Sequence, residues 1–203
     1  MNIKDANDLV HQGILSFART ERQGIRVDII HAQKEKEKLT ILIDGLFKKF
    51  EQTKFCKHWE YTRGKSKLNI NSNYQLSHYL YKVKKIKPLK LTPSGQGSTD
   101  EEALEALGIP ELDDLLRIRK LKKMRDTYLH GFINESVDGF IHPVFNLHTV
   151  STYRSSSDSP NFQNIPVRDE EAKKIIRTCL FPRLGHQLLE IDFSGLEVCI
   201  ATC

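Results

Sequence analysis

Two long segments of the chain carry apolar residues every three or four positions, the spacing that places side chains on one face of an α-helix. In the segment that follows Asp28, this face consists of Leu39, Leu42, Ile43, Leu46 and Phe50. In the segment Glu111–Phe132, it consists of Leu112, Leu115, Ile118, Leu121, Met124, Tyr128 and Phe132. Both segments are therefore predicted to form long amphipathic helices that bury this face.

Between these helices, the pattern predicts shorter elements joined by loops. The segment Trp59–Asn73 is rich in Gly, Ser and Asn and is predicted to be a loop, and a short helix is expected over Tyr74–Tyr81. The residues Thr92–Gly97 form a turn-rich connector. After it, Ser98 or Thr99 with a glutamate three residues later makes a capping box, which predicts that a helix begins there.

The last third of the chain carries strand patterns and polar stretches. Asp138–Gly139 predicts a turn, and Phe140–Leu147 alternates enough for a strand that Pro143 marks as an edge or a bulge. A helix is predicted around Glu170–Thr178, and Gln187–Phe193 has the apolar run of a buried strand. Long helices followed by strands indicate an α+β fold.

Length and composition bound the class of protein. The 203 residues are 39% hydrophobic, enough for a core in one domain or one and a half. The 31 lysines and arginines against 26 aspartates and glutamates give a net charge of +5, which weakly favours a polyanionic partner. No apolar run approaches the length of a membrane span, and the start of the chain lacks the pattern of a secretory signal. These features predict a cytoplasmic protein with no membrane segment.

The four cysteines, Cys56, Cys179, Cys199 and Cys203, fit neither paired metal-binding motifs nor a small disulfide framework. Cys56 and His58 could supply half of a zinc site, but no second pair at a suitable spacing completes it. Reduced, structural thiols are therefore the favoured interpretation.

A polar segment from Thr152 to Arg168, with the sequence TYRSSSDSPNFQNIPVR, has the chemistry to bind DNA. Guanidinium and amide groups donate to the N3 and O2 acceptors that every base pair presents in the minor groove. A protein that contacts these acceptors senses base pairing without preferring a sequence. The alternative is a polar loop in which Asn and Gln side chains cap the local backbone.

A second segment, Leu189–Val198, has the sequence LEIDFSGLEV and places Asp192 at the end of the predicted strand. A carboxylate in this position can coordinate Mg²⁺. Ser194 and Glu197 also form a capping box for a helix that follows the strand, and the two interpretations are compatible.

These two segments resemble motifs of the family A DNA polymerases, namely T-x-R-x-S-S leading into P-N-x-Q-N-I-P-x-R, and the first catalytic motif D-[YF]-S-[QG]-[IL]-E-[LV]. The resemblance implies that five residues of the first segment bind primer-template DNA near its growing end: Arg154, Asn161, Gln163, Asn164 and Arg168.

For the second segment, the resemblance implies that the carboxylate of Asp192 and the carbonyl of Phe193 hold metal, with two Mg²⁺ ions in a completed active site. It also implies that Glu197 lies beside the nucleotide sugar and excludes a ribose 2′ hydroxyl. Asp192 and Glu197 are thus the candidate catalytic residues.

The predicted helix Glu111–Phe132 also has a basic side, which includes Arg119, Lys120, Lys122 and Lys123. Without further information, such a side is merely solvated. In the polymerase family the corresponding thumb helix follows the duplex, so the resemblance implies that these four residues contact phosphates.

The resemblance covers almost the whole chain and implies two regions, a thumb-like helical region over residues 1–135 and the N-terminal part of a palm over residues 136–203. The implied fold is α+β, with long antiparallel thumb helices followed by the first strands of an incomplete palm sheet. In this family a second palm carboxylate and the fingers follow the first motif, so the chain is expected to be inactive alone.

The leading hypothesis is therefore a segment of a DNA-directed DNA polymerase. Its implied partners are primer-template DNA and, in the complete enzyme, a deoxynucleoside triphosphate. The chain is either a truncated reading frame or one half of a split enzyme, and in the second case a partner chain carries the fingers and the rest of the palm. The alternative is a non-catalytic DNA-binding remnant or an accessory subunit of a split polymerase. A helical interaction protein without nucleic acid ranks lower, because it leaves the segment 154–168 unexplained.

Overall fold

The computed structural model describes residues 2–64, 66–150, 154–189 and 191. The chain divides into two compact units. One is continuous, Gln33–Gly131, and the other combines Met1–Ala32 with Phe132–Cys203. This division differs from the predicted boundary at residue 135, because the first 32 residues pack with the last third of the chain. We call the continuous unit the helical unit and the other one the mixed unit.

The elements are α-helices of 5 to 24 residues and strands of two or three residues. The chain begins with α1 (Ile3–Gln23), β1 (Ile25–Val27), α2 (Ile29–Gln52) and α3 (Lys54–Arg63). Then come α4 (Asn73–Ser77) with a π-helical extension (His78–Val83), α5 (Glu101–Glu105), α6 (Pro110–Lys123) with a π-helical continuation (Met124–Leu129), and α7 (His130–Glu135). The last third contains β2 (Phe140–Ile141), β3 (Val144–Asn146), β4 (Ser156–Asp158), α8 (Glu170–Ile176) followed by a 3₁₀ turn (Arg177–Cys179), and β5 (Leu180–Phe181). The fold is helix-rich with small antiparallel sheets, which agrees with the predicted α+β class.

An aromatic cluster forms part of the core of the helical unit. The ring centroids of Tyr79 and Phe55 lie 5.1 Å apart in an edge-on arrangement, and those of Tyr79 and Trp59 lie 5.6 Å apart in a stack. The Tyr79 hydroxyl donates to the Phe55 carbonyl at 3.2 Å, and His58 Nδ1 lies 2.9 Å from the same hydroxyl. Burial raises the pKa of Tyr79 to about 12. The hydroxyl therefore stays neutral inside the cluster.

The two predicted amphipathic helices are present. All seven apolar residues predicted along Glu111–Phe132 are buried, over the continuous path of α6, its π-helical extension and α7. In α2, Leu39, Ile43 and Phe50 are buried, but Leu42 is 43% exposed. The buried face of α2 is thus narrower than its apolar pattern.

The prediction of a loop over Trp59–Asn73 was wrong for its first residues, because α3 continues to Arg63. The Thr53 side chain caps this helix by accepting from the Cys56 amide at 3.1 Å. Trp59 is fully buried on its inner face. The helix ends at Gly64, whose φ of +58° suits glycine.

The other predicted helices of the chain are confirmed with small corrections. The short helix predicted at Tyr74 begins at Asn73, and its π-helical extension reaches Val83. The N-cap of α5 is Asp100, which accepts from the Ala103 amide at 2.9 Å, rather than Ser98 or Thr99. Ser98 instead accepts from the Asp100 amide at 3.2 Å and so orients the cap.

A three-stranded antiparallel sheet lies in the mixed unit, in the order β2-β1-β5. In its register Ile25 pairs with Ile141, Arg26 with both Phe140 and Phe181, and Val27 with Leu180. Val27 and Ile141 are buried. One side of the sheet therefore belongs to the core and the other faces outward.

The turn between α1 and β1 requires glycine. Gly24 has a φ of +61°, and its amide donates to the Thr20 carbonyl at 3.0 Å to close α1. A Cβ atom at this position would lie 2.6 Å from the His142 ring and 2.8 Å from the Ile141 carbonyl. Both the backbone conformation and the close approach of β2 thus exclude a larger residue.

The predicted turn at Asp138–Gly139 is confirmed, and both residues have positive φ. The predicted strand Phe140–Leu147 is divided into β2 and β3, which belong to different sheets. Pro143 stands at the break, as expected of a residue that cannot donate to a ladder. The helix predicted at Glu170 is confirmed, with Asp169 as its N-cap.

The predicted buried strand Gln187–Phe193 is not found in its described part. Gln187–Leu189 and Ile191 have no strand structure, and Leu189 is 83% exposed. A strand needs a hydrogen-bonded neighbour, and none of the described strands pairs with this segment. No helix among the described residues is long and apolar enough to cross a membrane.

We expect Thr53→Ala to lower the free energy of unfolding by about 1 kcal/mol, because the α3 amide of Cys56 loses its cap. Thr53→Ser retains the hydroxyl and should lose much less. Urea denaturation of both variants measures the difference. An equal loss in both would mean that the methyl group of Thr53, rather than the cap, stabilises this helix.

Candidate nucleic-acid interface

Ser157 organises the polar segment predicted to bind DNA. It lies in β4, opposite Phe145 of β3, and is only 4% exposed. Its hydroxyl accepts from the Gln163 amide at 3.0 Å and donates to Asn161 Oδ1 at 3.4 Å. Because these bonds link β4 to residues four and six positions later, the chain folds back into a compact loop.

Further local bonds fix the loop. Asn161 Oδ1 also accepts from the Asn164 amide at 3.2 Å, and Gln163 Nε2 donates to the Ser155 hydroxyl at 2.7 Å. Ile165 is buried beneath it. Because Ser155 follows Arg154 in the sequence, this bond brings Gln163 to the part of the loop that also carries Arg154. The loop therefore gathers residues that are distant in sequence.

All five DNA-binding residues predicted in this segment are exposed: Arg154, Asn161, Gln163, Asn164 and Arg168. The Asn161 side chain has two roles, because Oδ1 caps the loop while Nδ2 has no hydrogen-bond partner in the described part of the chain. Local capping and exposed donors thus coexist here.

The helix α1 packs against β3, the strand that pairs with β4 of the predicted DNA-binding segment. The rings of Phe17 and Phe145 stack with centroids 5.0 Å apart, and Glu21 Oε1 accepts from the Phe145 amide at 2.6 Å. Across the strand pair, Asn146 Nδ2 of β3 donates to Asp158 Oδ2 of β4 at 2.9 Å. The β3-β4 pair that carries Ser157 is therefore braced on one side by a long helix.

The predicted catalytic and metal-binding residues, Asp192, Phe193 and Glu197, lie outside the described residues. Their assignments remain predictions. Among the described residues, no group of three or more His, Cys, Asp or Glu side chains could hold a metal ion.

The surroundings of Cys56 and His58, considered above as half of a zinc site, do not favour metal binding. Burial, followed by the charges of Glu60 and Glu51, raises the pKa of the Cys56 thiol to about 11. A metal requires the thiolate, which this environment disfavours. The ring of His58 is engaged with Tyr79. Cys179 is also buried, and its Sγ donates to the Ile175 carbonyl at 3.3 Å.

The basic residues of α6 differ in their surroundings. Lys123 is exposed, while Lys120 and Lys122 are half-buried. The Lys122 ammonium lies 5.3 Å from the centre of the Phe47 ring, within reach of a cation–π contact. Farther along, Arg125 Nε donates to Asp126 at 2.6 Å and Nη2 at 3.0 Å, so its charge is compensated.

Arg119 faces a loop of its own unit. Its Nε donates to the Ile70 carbonyl at 2.7 Å and its Nη1 to Asn73 Oδ1 at 3.0 Å. Its Nη2 is buried and has no hydrogen-bond partner among the described residues. Burial lowers the pKa of this guanidinium. These contacts hold the loop that precedes α4 against α6.

The sequence contains a signal for this role of Arg119. It lies four residues after Leu115 and seven after Leu112, so it continues the apolar face of the helix. A basic residue at such a position is oriented towards the packed side. The composition of the basic run alone does not separate Arg119 from its neighbours.

Comparison with known proteins identifies relatives of this chain. The sequence model of DNA polymerase family A matches residues 42–202. DNA polymerase I of Caldicellulosiruptor bescii is 39% identical over 135 residues, which are 64% of this chain and 16% of that protein. DNA polymerase I of Geobacillus stearothermophilus is 31% identical over 190 residues, 92% of this chain and 20% of that protein.

A solved structure is also similar. The POL domain of Pol1 from M. smegmatis, in complex with DNA primer-template and dNTP, superimposes with a TM-score of 0.68 at 29% identity. The match covers 81% of this chain and 28% of that one. The chain thus spans about a fifth of the length of the curated relatives named above.

We expect Arg119→Ala to lower the free energy of unfolding by about 1–3 kcal/mol, because the Ile70 carbonyl and Asn73 lose a charged donor. Lys123→Ala, which removes an exposed charge from the same helix, should change it by less than about 0.5 kcal/mol. Thermal or urea unfolding compares the two. Similar stabilities would contradict the structural role of Arg119.

Proposed function

Because the chain belongs to DNA polymerase family A, we propose that it is a segment of a DNA-directed DNA polymerase that binds primer-template DNA. The helical unit supplies most of the thumb, and the mixed unit supplies the first part of the palm. The observation that carries the proposal is the ordered motif over residues 154–168, whose polar side chains are exposed on a loop fixed by Ser157.

Minor-groove contact accounts for the chemistry of this loop. Asn161 Nδ2 and the Arg154 and Arg168 guanidinium groups are donors, and the minor groove offers an acceptor at every base pair. Because local bonds already hold the loop, little side-chain freedom is lost when DNA binds. Such a surface accepts any paired sequence, as copying requires.

Phosphate contacts are assigned to Lys120, Lys122 and Lys123 on α6. Lys123 is fully available to solvent, and the cation–π contact of Lys122 leaves its ammonium donors usable. Arg119 is assigned to the support of the loop before α4 and not to the duplex. Three lysines on one helix give an electrostatic, sequence-independent attraction.

Catalysis is assigned to the second motif. The Asp192 carboxylate and the Phe193 carbonyl would hold Mg²⁺, which when bound stabilises the negative charge of a transferring phosphoryl group. Glu197 would exclude the ribose 2′ hydroxyl of an incoming nucleoside triphosphate. One carboxylate and one carbonyl are fewer ligands than Mg²⁺ requires. We therefore propose that the 203 residues alone do not polymerise DNA, and that a second chain or segment completes the site.

A non-catalytic DNA-binding remnant or accessory subunit is the second candidate. The exposed residues of the segment 154–168 and the basic residues of α6 suit this candidate equally well, since none of them belongs to the second motif. The two candidates share DNA binding and differ in catalysis. Complementation with the remainder of a polymerase domain separates them.

We expect the chain to bind duplex primer-template DNA with little sequence preference and with an affinity that falls steeply with salt, by a slope of about −0.9 per phosphate contacted. Arg154→Ala should weaken binding roughly tenfold, whereas Lys123→Ala should mainly reduce the salt slope. Fluorescence anisotropy at several salt concentrations measures both. Equal effects of the two substitutions, or binding that ignores salt, would contradict the assigned contacts.

In an enzyme reconstituted with the missing palm and fingers, we expect Asp192→Ala to abolish nucleotide addition and to leave DNA affinity nearly unchanged, because the carboxylate acts on the developing charge of transfer. Glu197→Ala should relax the exclusion of ribonucleotides. Primer extension with deoxynucleotides and ribonucleotides tests both variants. Normal extension by the Asp192 variant would refute its assignment, and failure of every reconstitution would favour the accessory subunit.

A further inference from the structure

The outward side of the three-stranded sheet carries a row of three residues across its strands. Arg26 in the central strand β1 is paired with Phe140 of β2 and with Phe181 of β5. Directly opposed residues of antiparallel strands project to the same side. The neighbouring positions Val27 and Ile141 are buried on the other side. The sequence thus places an arginine between two phenylalanines on an outward sheet surface.

A second arginine covers this row. The Arg183 Cζ atom lies 5.3 Å from the centre of the Phe140 ring, and the Arg26 Cζ atom lies 4.4 Å from the centre of the Phe181 ring. Arg26 Nη1 donates to the Pro182 carbonyl at 3.5 Å, and Arg183 Nη2 donates to the Gln23 carbonyl. Ring stacking and one backbone bond therefore orient each guanidinium and leave most of its donors unused.

The two arginines line one cavity of about 690 Å³, the Arg26–Arg183 cavity, together with Asp138, Phe140, Phe181 and His186. In the described part of the chain, neither arginine forms an ion pair. Arg125, in the π-helical continuation of α6, provides the contrast, because Asp126 binds it with two hydrogen bonds. Two oriented cations thus share a concave surface, and no carboxylate among the described residues forms an ion pair with either of them.

We propose that the Arg26–Arg183 cavity binds a phosphate group. Planar guanidinium groups match phosphate oxygens with paired hydrogen bonds, and stacking on the phenylalanines holds both groups in place before the ligand arrives. The cavity is large enough for a nucleotide. The phosphate comes from a free nucleotide or from the backbone of a single strand. None of these residues belongs to the segment 154–168 or to α6, so the site is separate from the proposed primer-template contacts.

The test is an NMR titration of the full 203-residue chain, in which the side-chain Nε–H signals of Arg26 and Arg183 report on the cavity. Inorganic phosphate and a short single-stranded oligodeoxynucleotide are added separately, with sodium chloride at matched ionic strength as the reference. We expect both arginine signals to shift and saturate with at least one of the two phosphate sources and not with chloride. Saturation with phosphate alone identifies a free ligand, and tighter saturation with the oligonucleotide identifies a strand.

Substitutions test whether the Arg26–Arg183 cavity is the site at which phosphate binds. Arg183→Gln and Arg26→Gln should each weaken the affinity at least about tenfold, Arg26→Lys should lose less, and the exposed Arg19→Gln on α1 should leave it unchanged. Arg183 is exposed and follows β5, so its variant keeps the test valid even if Arg26→Gln unfolds the sheet. Linear shifts without saturation, the same response to chloride, or an equal loss in the Arg19 variant would overturn the proposal.

Discussion

The pairing of β1 on both of its sides is the interaction on which the mixed unit depends. This strand has only three residues, yet it joins β2 and β5, and the Val27 and Asp28 amides add bonds to the Gly139 and Cys179 carbonyls at 2.9 and 2.8 Å. These bonds fix the start of the chain against its last third. The brace of α1 on β3, and with it the position of the Ser157 loop, follows from the same pairing.

Much of the helical architecture was predictable, because a long amphipathic face repeats its signal over several turns. The buried series from Leu112 to Phe132 is the clearest case. A strand of two or three residues is too short to show an alternation of apolar and polar positions, so β1 and β5 were not predicted. Their formation also depends on partner strands that are far away in sequence. The α3 helix was missed in part because Gly, Ser and Asn after Arg63 suggested a loop that begins earlier than it does.

For the candidate interface, the motif predicts residues with donors suited to DNA, but it does not predict the local hydrogen bonds that each of them forms. The sequence cannot distinguish Arg119, which holds a loop, from Lys123, which faces solvent, unless the position relative to Leu115 is considered. Within the segment 154–168, one amide group both caps the backbone and presents a donor. The Asn161 amide can thus cap the backbone through its oxygen while its nitrogen stays exposed as a donor. The row of Phe140, Arg26 and Phe181 could not be predicted, since it depends on cross-strand register.

The division of the chain into a continuous and a discontinuous unit has a consequence for the order in which it folds during synthesis. Arg26 and Pro182 are 156 residues apart, so α1 and β1 leave the ribosome long before their partners exist. The helical unit is complete in between and relies on nearer contacts, which form faster than distant ones. Until then, Phe17 of α1 lacks its stacking partner Phe145, and Val27 of β1 lacks the strand that pairs with it. The nascent chain is therefore most exposed to aggregation in this interval.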